Sequence, residues 1–406
     1  MIKFSPPRID DKIIAEVTDS LKSGWITTGP KTKLLEKKIT EYCGNKTTIC
    51  LNSATAGLEL VLRWFGVKAG DEVIVPVYTY CATANVVVHC GATPVFVDVN
   101  KDDFNINVEE IQKKITSQTK VIIPVDFAGF PCDYDEINDL VKSNEVKSLF
   151  KAENENQELL GRILVMADSA HSMGAIYKNK VSGSLTDISV FSFHAVKNLT
   201  TAEGGAIAFN LPDNFNHDEI YKYFNALSLH GQSKDALAKT QLGGWKYDIL
   251  FAGYKSNMPD LLAAIGLIEI DRYKDDTLVK RMELFVKYSN GFRDKAWAEI
   301  PKYINSSKTS SFHVYPLRIK GISEEQRDKI INKIFEKEVS VNVHFQPLPL
   351  LTVYKDLGYK IENYPVAYDN YSREISLPVF YDLQDFEVEI VINAVIQSVE
   401  EVVYSA

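Results

Sequence analysis

From residue 72 onward, short apolar runs alternate with amphipathic segments, and this alternation limits the possible folds more than any other feature of the chain. The apolar runs lie at 73–77, 94–99 and 120–126, and helical patterns lie at 79–90, 108–115 and 134–141. Strands that alternate with helices build a mainly parallel sheet with helices on both faces. We therefore predict an α/β fold in which a mainly parallel, mixed sheet is sandwiched by helices.

The sequence beyond residue 266 follows a different pattern. Ser323 and Gln326 are spaced for a capping box, and the predicted elements are strands at 312–319, 339–345 and 375–380 and helices at 324–336 and 386–402. A chain of 406 residues also exceeds one ordinary domain. We predict a large domain at 1–266 and a small α+β domain at 267–406. The stretch 143–160 is rich in charged and amide side chains, which predicts a solvated insertion away from the chemistry.

One lysine stands in a turn between two apolar runs. The first run covers 188–193, Lys197 follows it, and after a short turn of threonine and glycine the second run begins at Ala206. Where two buried strands meet, burial disfavours the ammonium form of a lysine and leaves a nucleophilic amine. Such an amine can form a Schiff base with an aldehyde.

A carboxylate ends another apolar run. The run at 163–167 delivers Asp168, and if it lies parallel and next to the run at 188–193, Asp168 and Lys197 meet at one edge of the sheet. Open α/β sheets bind their ligands at that carboxyl edge. An amine for an aldehyde and a carboxylate for a ring nitrogen are the two groups that a pyridoxal phosphate site requires. We predict that both residues are catalytic.

The stretch around the lysine, SFHAVKNLTTAEGG at 192–205, resembles the nucleotide-sugar aminotransferases of the DegT/StrS type. Similar strings extend over nearly the whole chain: WITTGP at 25–30, NSATAGLEL at 52–60, GDEVIVP at 70–76, GATPVFVDV at 91–99, LHGQSK at 229–234 and GYKSNMPDLLAAIGL at 253–267. The resemblance implies the aspartate aminotransferase fold (fold type I). It also implies transfer of an amino group from glutamate to a keto sugar nucleotide for cell-envelope polysaccharides. Enzymes that aminate a 4-keto-6-deoxyhexose or 4-ketopentose are the most similar.

The resemblance further implies which residues hold the cofactor, pyridoxal phosphate, which cycles through pyridoxamine phosphate. Lys197 carries its aldehyde, Asp168 faces the ring nitrogen, and Tyr80 and His171 lie beside the ring. Its phosphate is held by Ala54, Thr55 and Ser192, with Asn257 joining from a neighbouring subunit. Independently of the family, small residues before a helix favour an anion site at the helix N-terminus, although serine and threonine there more often only cap the helix.

Substrate contacts are implied at six further positions: Trp25, Thr27, Thr28, Glu203, His230 and His344. The residues alone leave simpler interpretations open, because the turn at 25–30 could be a helix connector and a lone histidine or glutamate is more often structural. The loop at 229–254 has few core residues, and loops of that length are commonly functional or disordered. In the family it reaches across a dimer interface, so we predict a homodimer with shared active sites.

Composition excludes several classes of function. A net charge of −9 argues against a surface that binds nucleic acid. No run approaches the roughly 18 apolar residues of a membrane span, and the first residues lack an apolar signal core, so we predict a cytoplasmic protein without membrane insertion. The five cysteines show no CxxC spacing and the seven histidines are scattered, which predicts reduced thiols and no metal site.

Three alternatives stay open at the level of sequence. A related sugar dehydratase carries a histidine in place of the lysine, so Lys197 favours transamination. A regulator that binds the cofactor and DNA requires a basic extension, and the family motifs here begin within the first thirty residues of an acidic chain. An aminotransferase for a 3-keto sugar nucleotide or a cyclitol is not distinguished, because loop residues rather than the fold determine that choice.

Overall fold

A computed structural model describes residues 1–234 and 245–404. Its strands are, in chain order, β1 (Thr47–Leu51), β2 (Glu72–Pro76), β3 (Thr93–Val97), β4 (Thr119–Ile122), β5 (Leu164–Asp168), β6 (Ile176–Tyr177), β7 (Lys180–Val181), β8 (Ile188–Ser192), β9 (Gly205–Phe209), β10 (Ala298–Glu299), β11 (Lys308–Thr309), β12 (Tyr315–Ile319) and β13 (Glu374–Leu377). Seven of them form the central sheet in the order β1-β9-β8-β5-β4-β2-β3.

The central sheet is mainly parallel with one antiparallel strand. The strands β3, β2, β4, β5 and β8 pair in parallel, whereas β9 runs antiparallel to both β8 and β1. The predicted neighbours are confirmed, since Asp168 of β5 pairs with Val190 of β8. Because β8 and β9 form an antiparallel pair joined by residues 193–204, Lys197 lies in the connection between two buried strands.

Helices cover the sheet and connect its strands. In chain order they are α1 (Asp11–Ser23), α2 (Pro30–Cys43), α3 (Ala54–Trp64), α4 (Ala82–His89), α5 (Val108–Lys114), α6 (Tyr134–Lys142), α7 (Asn144–Leu149), α8 (Glu155–Leu160), α9 (His217–Leu227), α10 (Asp260–Arg272), α11 (Leu278–Phe292), α12 (Glu324–Glu336), α13 (Thr352–Asp356), α14 (Pro365–Arg373) and α15 (Asp385–Val403). A single π-helical turn at Tyr273–Thr277 joins α10 to α11. The α/β sandwich predicted from the alternating pattern is confirmed.

The C-terminal part has a core of its own. The short sheet β10-β12-β13 packs with α11, α12 and α15 around Tyr288, Tyr315 and Ile330. A third small sheet, β11-β6-β7, joins this part to the loop after β5. The division at residues 266 and 267 falls inside α10 and remains a prediction.

Two details of the sequence-based expectation need comment. The capping box of α12 is confirmed, because Ser323 Oγ accepts from the Gln326 N–H and Gln326 Oε1 accepts from the Ser323 N–H. The strand predicted at 339–345 is wrong: the segment is irregular and makes single bridges at Val339 and Asn342. Its alternating apolar residues face the core without a continuous partner strand.

The stretch 143–160 is only partly the solvated insertion that its composition predicts. It forms the short helices α7 and α8, and the buried Gln157 donates to the Phe65 carbonyl at 2.7 Å. Asn154 donates to the same carbonyl at 3.0 Å, so these amides satisfy the backbone where α3 ends. Within the described residues no helix is both long and apolar enough to cross a lipid bilayer.

Candidate active site

The carboxyl ends of β5 and β8 bring the two predicted catalytic residues to the same cavity. Asp168 is the last residue of β5, and Lys197 follows the end of β8 by five residues. The cavity measures about 380 Å³, which lies within the range of small-molecule sites. The parallel strand ends thus form a ligand site where doubly wound sheets have theirs.

Lys197 is partly buried, and burial dominates its chemistry. Desolvation lowers the pKa of its amine to about 8, while the nearby charge of Asp168 acts in the opposite direction. Among the described residues, the amine has no carboxylate within 4.0 Å to hold it as an ammonium ion. A substantial fraction of neutral amine is therefore present near neutral pH, as a nucleophile or a base requires.

Asp168 is almost completely buried and is held by two donors. The Thr83 hydroxyl donates to its Oδ2 at 2.8 Å, and the Ala170 N–H donates to its Oδ1 at 3.2 Å. Burial raises the pKa of this carboxyl, although both hydrogen bonds and Lys197 oppose the rise. The carboxyl group is therefore fixed in orientation at the wall of the cavity.

Nine of the predicted site residues line this cavity. They come from α3, the loops after β2, β5 and β8, and the irregular segment before α13: Ala54, Thr55, Tyr80, Asp168, His171, Ser192, Lys197, Glu203 and His344. Glu203 lies at the exposed rim, 3.6 Å from Nε2 of His194. Residues that are up to 290 positions apart in the sequence are thereby brought to one site.

The N-terminus of α3 faces the cavity with both features that its sequence suggested. Ser53 caps the helix, because its side chain accepts from the Ala56 N–H at 3.1 Å. The N–H groups of Ala54 and Thr55 precede the first intrahelical hydrogen bond and have no carbonyl within the helix to bind. A Cβ at Gly205 would lie 2.4 Å from the Ala54 nitrogen, so only glycine lets β9 approach this turn so closely. Two free amides at a helix N-terminus are suited to binding an anion.

Three histidines, His171, His313 and His344, line the cavity. The ring of His171 lies 4.3 Å from that of His313 between centroids, and it stacks on Phe345 at 5.7 Å. Burial, followed by the charge of Lys197, lowers the pKa of His171 well below its usual value. Nδ1 of His171 is buried without a hydrogen-bond partner within the described residues. The ring of His171 is therefore neutral, and one of its polar atoms is left for a ligand.

Five predicted residues lie outside the cavity: Trp25, Thr27, Thr28, His230 and Asn257. Two of these are nevertheless joined to each other, because the Asn257 amide donates to Thr28 Oγ1 at 2.6 Å. The buried Asp260 holds the same turn by accepting from the N–H groups of Gly29 and Thr32. His230 is exposed on another loop, and the part of that loop at 235–244 lies outside the described residues.

Several residues of the site were not identified from the sequence, among them the following four. Thr83 lies in α4, His313 lies just before β12, and Phe4 and Ser5 reach the cavity from the N-terminal segment. Phe4 stacks on His344 at 5.7 Å between ring centroids. The sequence contains one indirect signal for His313, which is the polar Asn198 next to Lys197. In the structure, the side chain of Asn198 lies 2.8 Å from Nδ1 of His313. A polar residue adjacent to a catalytic lysine requires a partner when it is buried.

Comparisons with known proteins find similar chains over nearly the whole length of this one. The model of the DegT/DnrJ/EryC1/StrS aminotransferase family matches residues 7–153 and 158–396. The solved structure of a putative sugar aminotransferase, Spr1654 from Streptococcus pneumoniae in its PMP form, is similar with a TM-score of 0.95 and 46% identity, covering 99% of this chain and 100% of that one. The PLP form of the same protein gives a TM-score of 0.94 at 44% identity, covering 99% of each chain.

Two of the proteins that are similar in sequence are described by function. The spore coat polysaccharide biosynthesis protein SpsC of Bacillus subtilis is 35% identical over 398 residues, which are 97% of this chain and 96% of that protein. The UDP-4-amino-4-deoxy-L-arabinose–oxoglutarate aminotransferase of Shewanella sediminis is 34% identical over 409 residues, which cover 96% of each chain.

Proposed function

Because this chain belongs to the DegT/DnrJ/EryC1/StrS aminotransferase family and is therefore a pyridoxal-phosphate-dependent sugar aminotransferase, we propose that it transfers an amino group from glutamate to a 4-keto sugar nucleotide. The proposed product serves cell-envelope polysaccharide biosynthesis. The relative in Shewanella sediminis is named for an amino sugar nucleotide and oxoglutarate, the keto acid that glutamate becomes, which supports this choice of donor and acceptor. We place the enzyme in the cytoplasm, where glutamate and sugar nucleotides are available.

The residues of the cavity fit pyridoxal phosphate. Lys197 offers a largely desolvated amine for the aldehyde, and Asp168 offers a buried carboxylate for the ring nitrogen. The free amides of Ala54 and Thr55 suit the phosphate, and Ser192 lies on the same wall. The neutral His171, with its unpartnered Nδ1, suits the face and the polar substituent of an aromatic ring.

The protein's contribution to the reaction follows from these groups. When bound, the cofactor supplies an electron sink for the negative charge that develops on the substrate carbon. Asp168 stabilises a proton on the ring nitrogen because an adjacent carboxylate favours the cationic form. The amine of Lys197, whose pKa burial lowers to about 8, would act as the general base and acid that moves a proton at the substrate carbon. The stacked rings of His171 and Phe345 line the same cavity as Lys197.

Homodimerisation would complete the site. Thr28 and Asn257 bind each other at the surface but do not reach the cavity of their own chain. Large apolar side chains are also exposed on this chain, with Trp245 at 79%, Tyr80 at 62% and Leu250 at 59%. Apolar exposure of this kind marks interaction surfaces. We propose that Asn257 and the turn at 25–30 enter the active site of the partner subunit.

The convergence of Lys197 and Asp168 on one cavity carries the proposal, and a substrate panel tests it. Purified enzyme loaded with cofactor is incubated with glutamate and matched 3-keto and 4-keto nucleotide sugars, and product mass is followed. We expect amination of a 4-keto substrate. Amination of 3-keto substrates alone would overturn the position assigned, and amination of none by an intact holoenzyme would overturn the sugar assignment.

A mixed dimer tests the shared site separately. Lys197→Ala and Asn257→Ala subunits are combined; if Asn257 acts across the interface, each mixed dimer contains one site with both residues intact and one site that lacks both. If Asn257 acts across the interface, the mixture regains activity that neither variant has alone. If Asn257 serves its own chain, one site of the mixed dimer lacks Lys197 and the other lacks Asn257, and no activity returns beyond the sum of the parents.

A further inference from the structure

His344 is held from three sides on the wall of the cavity. The Tyr78 hydroxyl donates to its carbonyl at 2.5 Å, and its own N–H donates to Glu374 Oε2 at 3.0 Å. Phe4 stacks on the ring. Such a degree of fixation exceeds what a histidine that only fills space requires, and it places one ring edge toward the cavity.

A line of buried polar groups leads from the other ring edge to a carboxyl group. Nδ1 of His344 lies 2.9 Å from Ser376 Oγ, which lies 2.5 Å from Glu374 Oε1. Glu374 and Ser376 are two residues apart on β13, so their side chains share one face of the strand. Backbone hydrogen bonds in both directions between Asn342 and Ser376 align the histidine segment with that face. Both side chains are inaccessible to solvent.

The ring of His344 is neutral, so the position of its single proton matters. Burial and, secondarily, Lys197 lower the pKa of His344 to about 3. A neutral imidazole donates from one nitrogen and accepts at the other. The Ser376 hydroxyl has one proton, so its two hydrogen bonds must run in the same direction. If Glu374 is protonated, it donates to Ser376 Oγ, the Ser376 hydroxyl donates to Nδ1 of His344, and the proton of the ring lies on Nε2. If Glu374 is ionised, both hydrogen bonds run in the opposite direction and the proton of the ring lies on Nδ1.

The surroundings keep the proton on Glu374. Burial raises the pKa of this carboxyl to about 8, against the opposing effects of Ser376, the His344 N–H, Arg327 and Arg318. Both guanidinium groups are engaged elsewhere, since Arg318 pairs with Glu299 at 2.5 Å and Arg327 with Asp328 at 2.6 Å. Within the part of the chain that the structure describes, no cation lies within 4.0 Å of the Glu374 carboxyl.

The remaining titratable neighbours do not supply a competing proton. Tyr78 faces Glu374, and burial raises the pKa of its phenol well above the usual value. On the cavity side, His344 faces Lys197, His171 and His313. Burial lowers the pKa of both histidines well below the usual value, so they stay neutral.

We propose that Glu374 and Ser376 are positioning residues that keep the ring proton of His344 on Nε2, so that the cavity presents an N–H donor to an anionic group of the substrate. Resting on the proposed function, this inference concerns either the carboxylate of glutamate or a phosphate of the sugar nucleotide. Lys197 is the one lysine among the described residues that line the cavity, and no arginine joins it there. With Lys197 engaged by the cofactor, the described wall of this chain offers no other lysine or arginine to the anion, so a neutral N–H donor gains importance there.

The position of the proton is measured without any turnover. Ring nitrogens of [15N]histidine-labelled holoenzyme are observed by long-range proton–nitrogen correlation, with His344→Gln used to assign the signal. We expect the Nε2–H form at pH 7, a shift toward the Nδ1–H form as the pH rises above about 8, and no shift in Glu374→Gln. The glutamine amide donates to Ser376 as a protonated carboxyl does. An Nδ1–H form at pH 7 would overturn the proposal.

Ligand affinity is the second readout. Glutamate is titrated into the holoenzyme and followed by the cofactor's absorbance, and the amino sugar nucleotide product is titrated separately to distinguish carboxylate from phosphate. Ser376→Ala should weaken one of the two ligands about 10- to 100-fold with a smaller change in the limiting rate, the effect of one lost hydrogen bond to a charged group. Ser289→Ala, which loses a buried hydrogen bond to Tyr315 in the small-domain core, is the matched control and should change neither.

The two variants separate this inference from a structural role and from the proposed function. Glu374→Gln should retain wild-type affinity at pH 7 and lose its decline above pH 8. If Glu374→Gln is impaired as strongly as Ser376→Ala, or if Ser376→Ala equals its control, the proposal fails. If wild-type holoenzyme does not respond to glutamate at all, the proposed donor fails, while the nitrogen signals still decide where the proton lies.

Discussion

The hydrogen bond from Thr83 to Asp168 offers a precise perturbation of the site, because valine replaces the hydroxyl with a methyl group of nearly the same shape. Thr83 is inaccessible to solvent and its hydroxyl lies 2.8 Å from Asp168 Oδ2. Thr83→Val leaves the carboxyl of Asp168 in place and removes the hydroxyl donor, so that the Ala170 N–H at 3.2 Å remains. The substitution also removes the 2.9 Å hydrogen bond between the hydroxyls of Thr83 and Thr79, while the volume of the side chain changes little.

The magnitude follows from the chemistry of that bond. A hydrogen bond to a charged group contributes about 1.5–3 kcal/mol, and one pKa unit corresponds to about 1.4 kcal/mol. Losing the Thr83 donor should therefore raise the pKa of Asp168 in the apoenzyme by roughly one to two units, in the direction in which burial already moves it. An Asp168 that ionises less readily pairs less well with a cationic ring nitrogen, so cofactor affinity should fall about tenfold or more.

Two measurements check this expectation. Titration of the apoenzyme with pyridoxal phosphate gives the dissociation constant, and carboxyl carbon shifts of labelled aspartate, assigned with Asp168→Asn, give the pKa. The control is Thr186→Val, which removes a buried hydroxyl with a 2.8 Å hydrogen bond at the opposite end of β8. Unchanged cofactor affinity in Thr83→Val together with an unshifted Asp168 would refute the reasoning, and an equal loss in the control would show that only stability had changed.

Two further substitutions test the energetics of buried charged groups. Lys197→Met should abolish amino transfer yet raise the melting temperature of the apoenzyme: burial lowers the pKa of Lys197 to about 8 from its usual 10.5, so the cost of the ammonium is full below pH 8 and fades as the pH approaches 10.5. A gain that did not shrink between pH 7 and pH 10.5 in thermal melts would contradict this sign. Asp187→Ala should cost about 3–5 kcal/mol in urea unfolding, because it leaves Arg162 buried without its bidentate partner. Adding Arg162→Met should recover part of that loss, and the N–H of Val165, which also binds Asp187, accounts for the remainder.

The predicted catalytic pair was accessible from the sequence because local patterns determine where both residues lie. Asp168 and Lys197 each follow an apolar run, and two parallel buried runs have little choice but to end at the same edge of the sheet. The anion site at Ala54 and Thr55 is equally local, since a helix N-terminus exposes its first amides whatever its surroundings are. Fold class and the chemical core of the site therefore follow from periodicity and strand ends.

The rest of the site depends on contacts that no periodic pattern records. Thr83 and His313 reach their partners across 85 and 115 residues of chain, and the hydroxyl or ring that matters resembles any other in its helix or loop. The wrongly predicted strand at 339–345 illustrates the same limit. Its alternation of apolar and polar residues is real, but neighbouring segments rather than periodicity decide whether backbone groups find a strand or, as at Asn342 and Val339, single bridges.

The absence of arginine from the described cavity wall is consistent with the task assigned to Asp168. A guanidinium group beside this buried carboxylate would pair with it permanently, lower its pKa and remove it from the ring nitrogen of the cofactor. Histidines kept neutral by burial avoid that competition, and a neutral ring still binds an anion where its N–H faces the cavity. The physical cost is that each neutral ring has a single proton to donate: Asn198 Oδ1 accepts the Nδ1 proton of His313, whereas a buried carboxyl keeps the proton of His344 on Nε2.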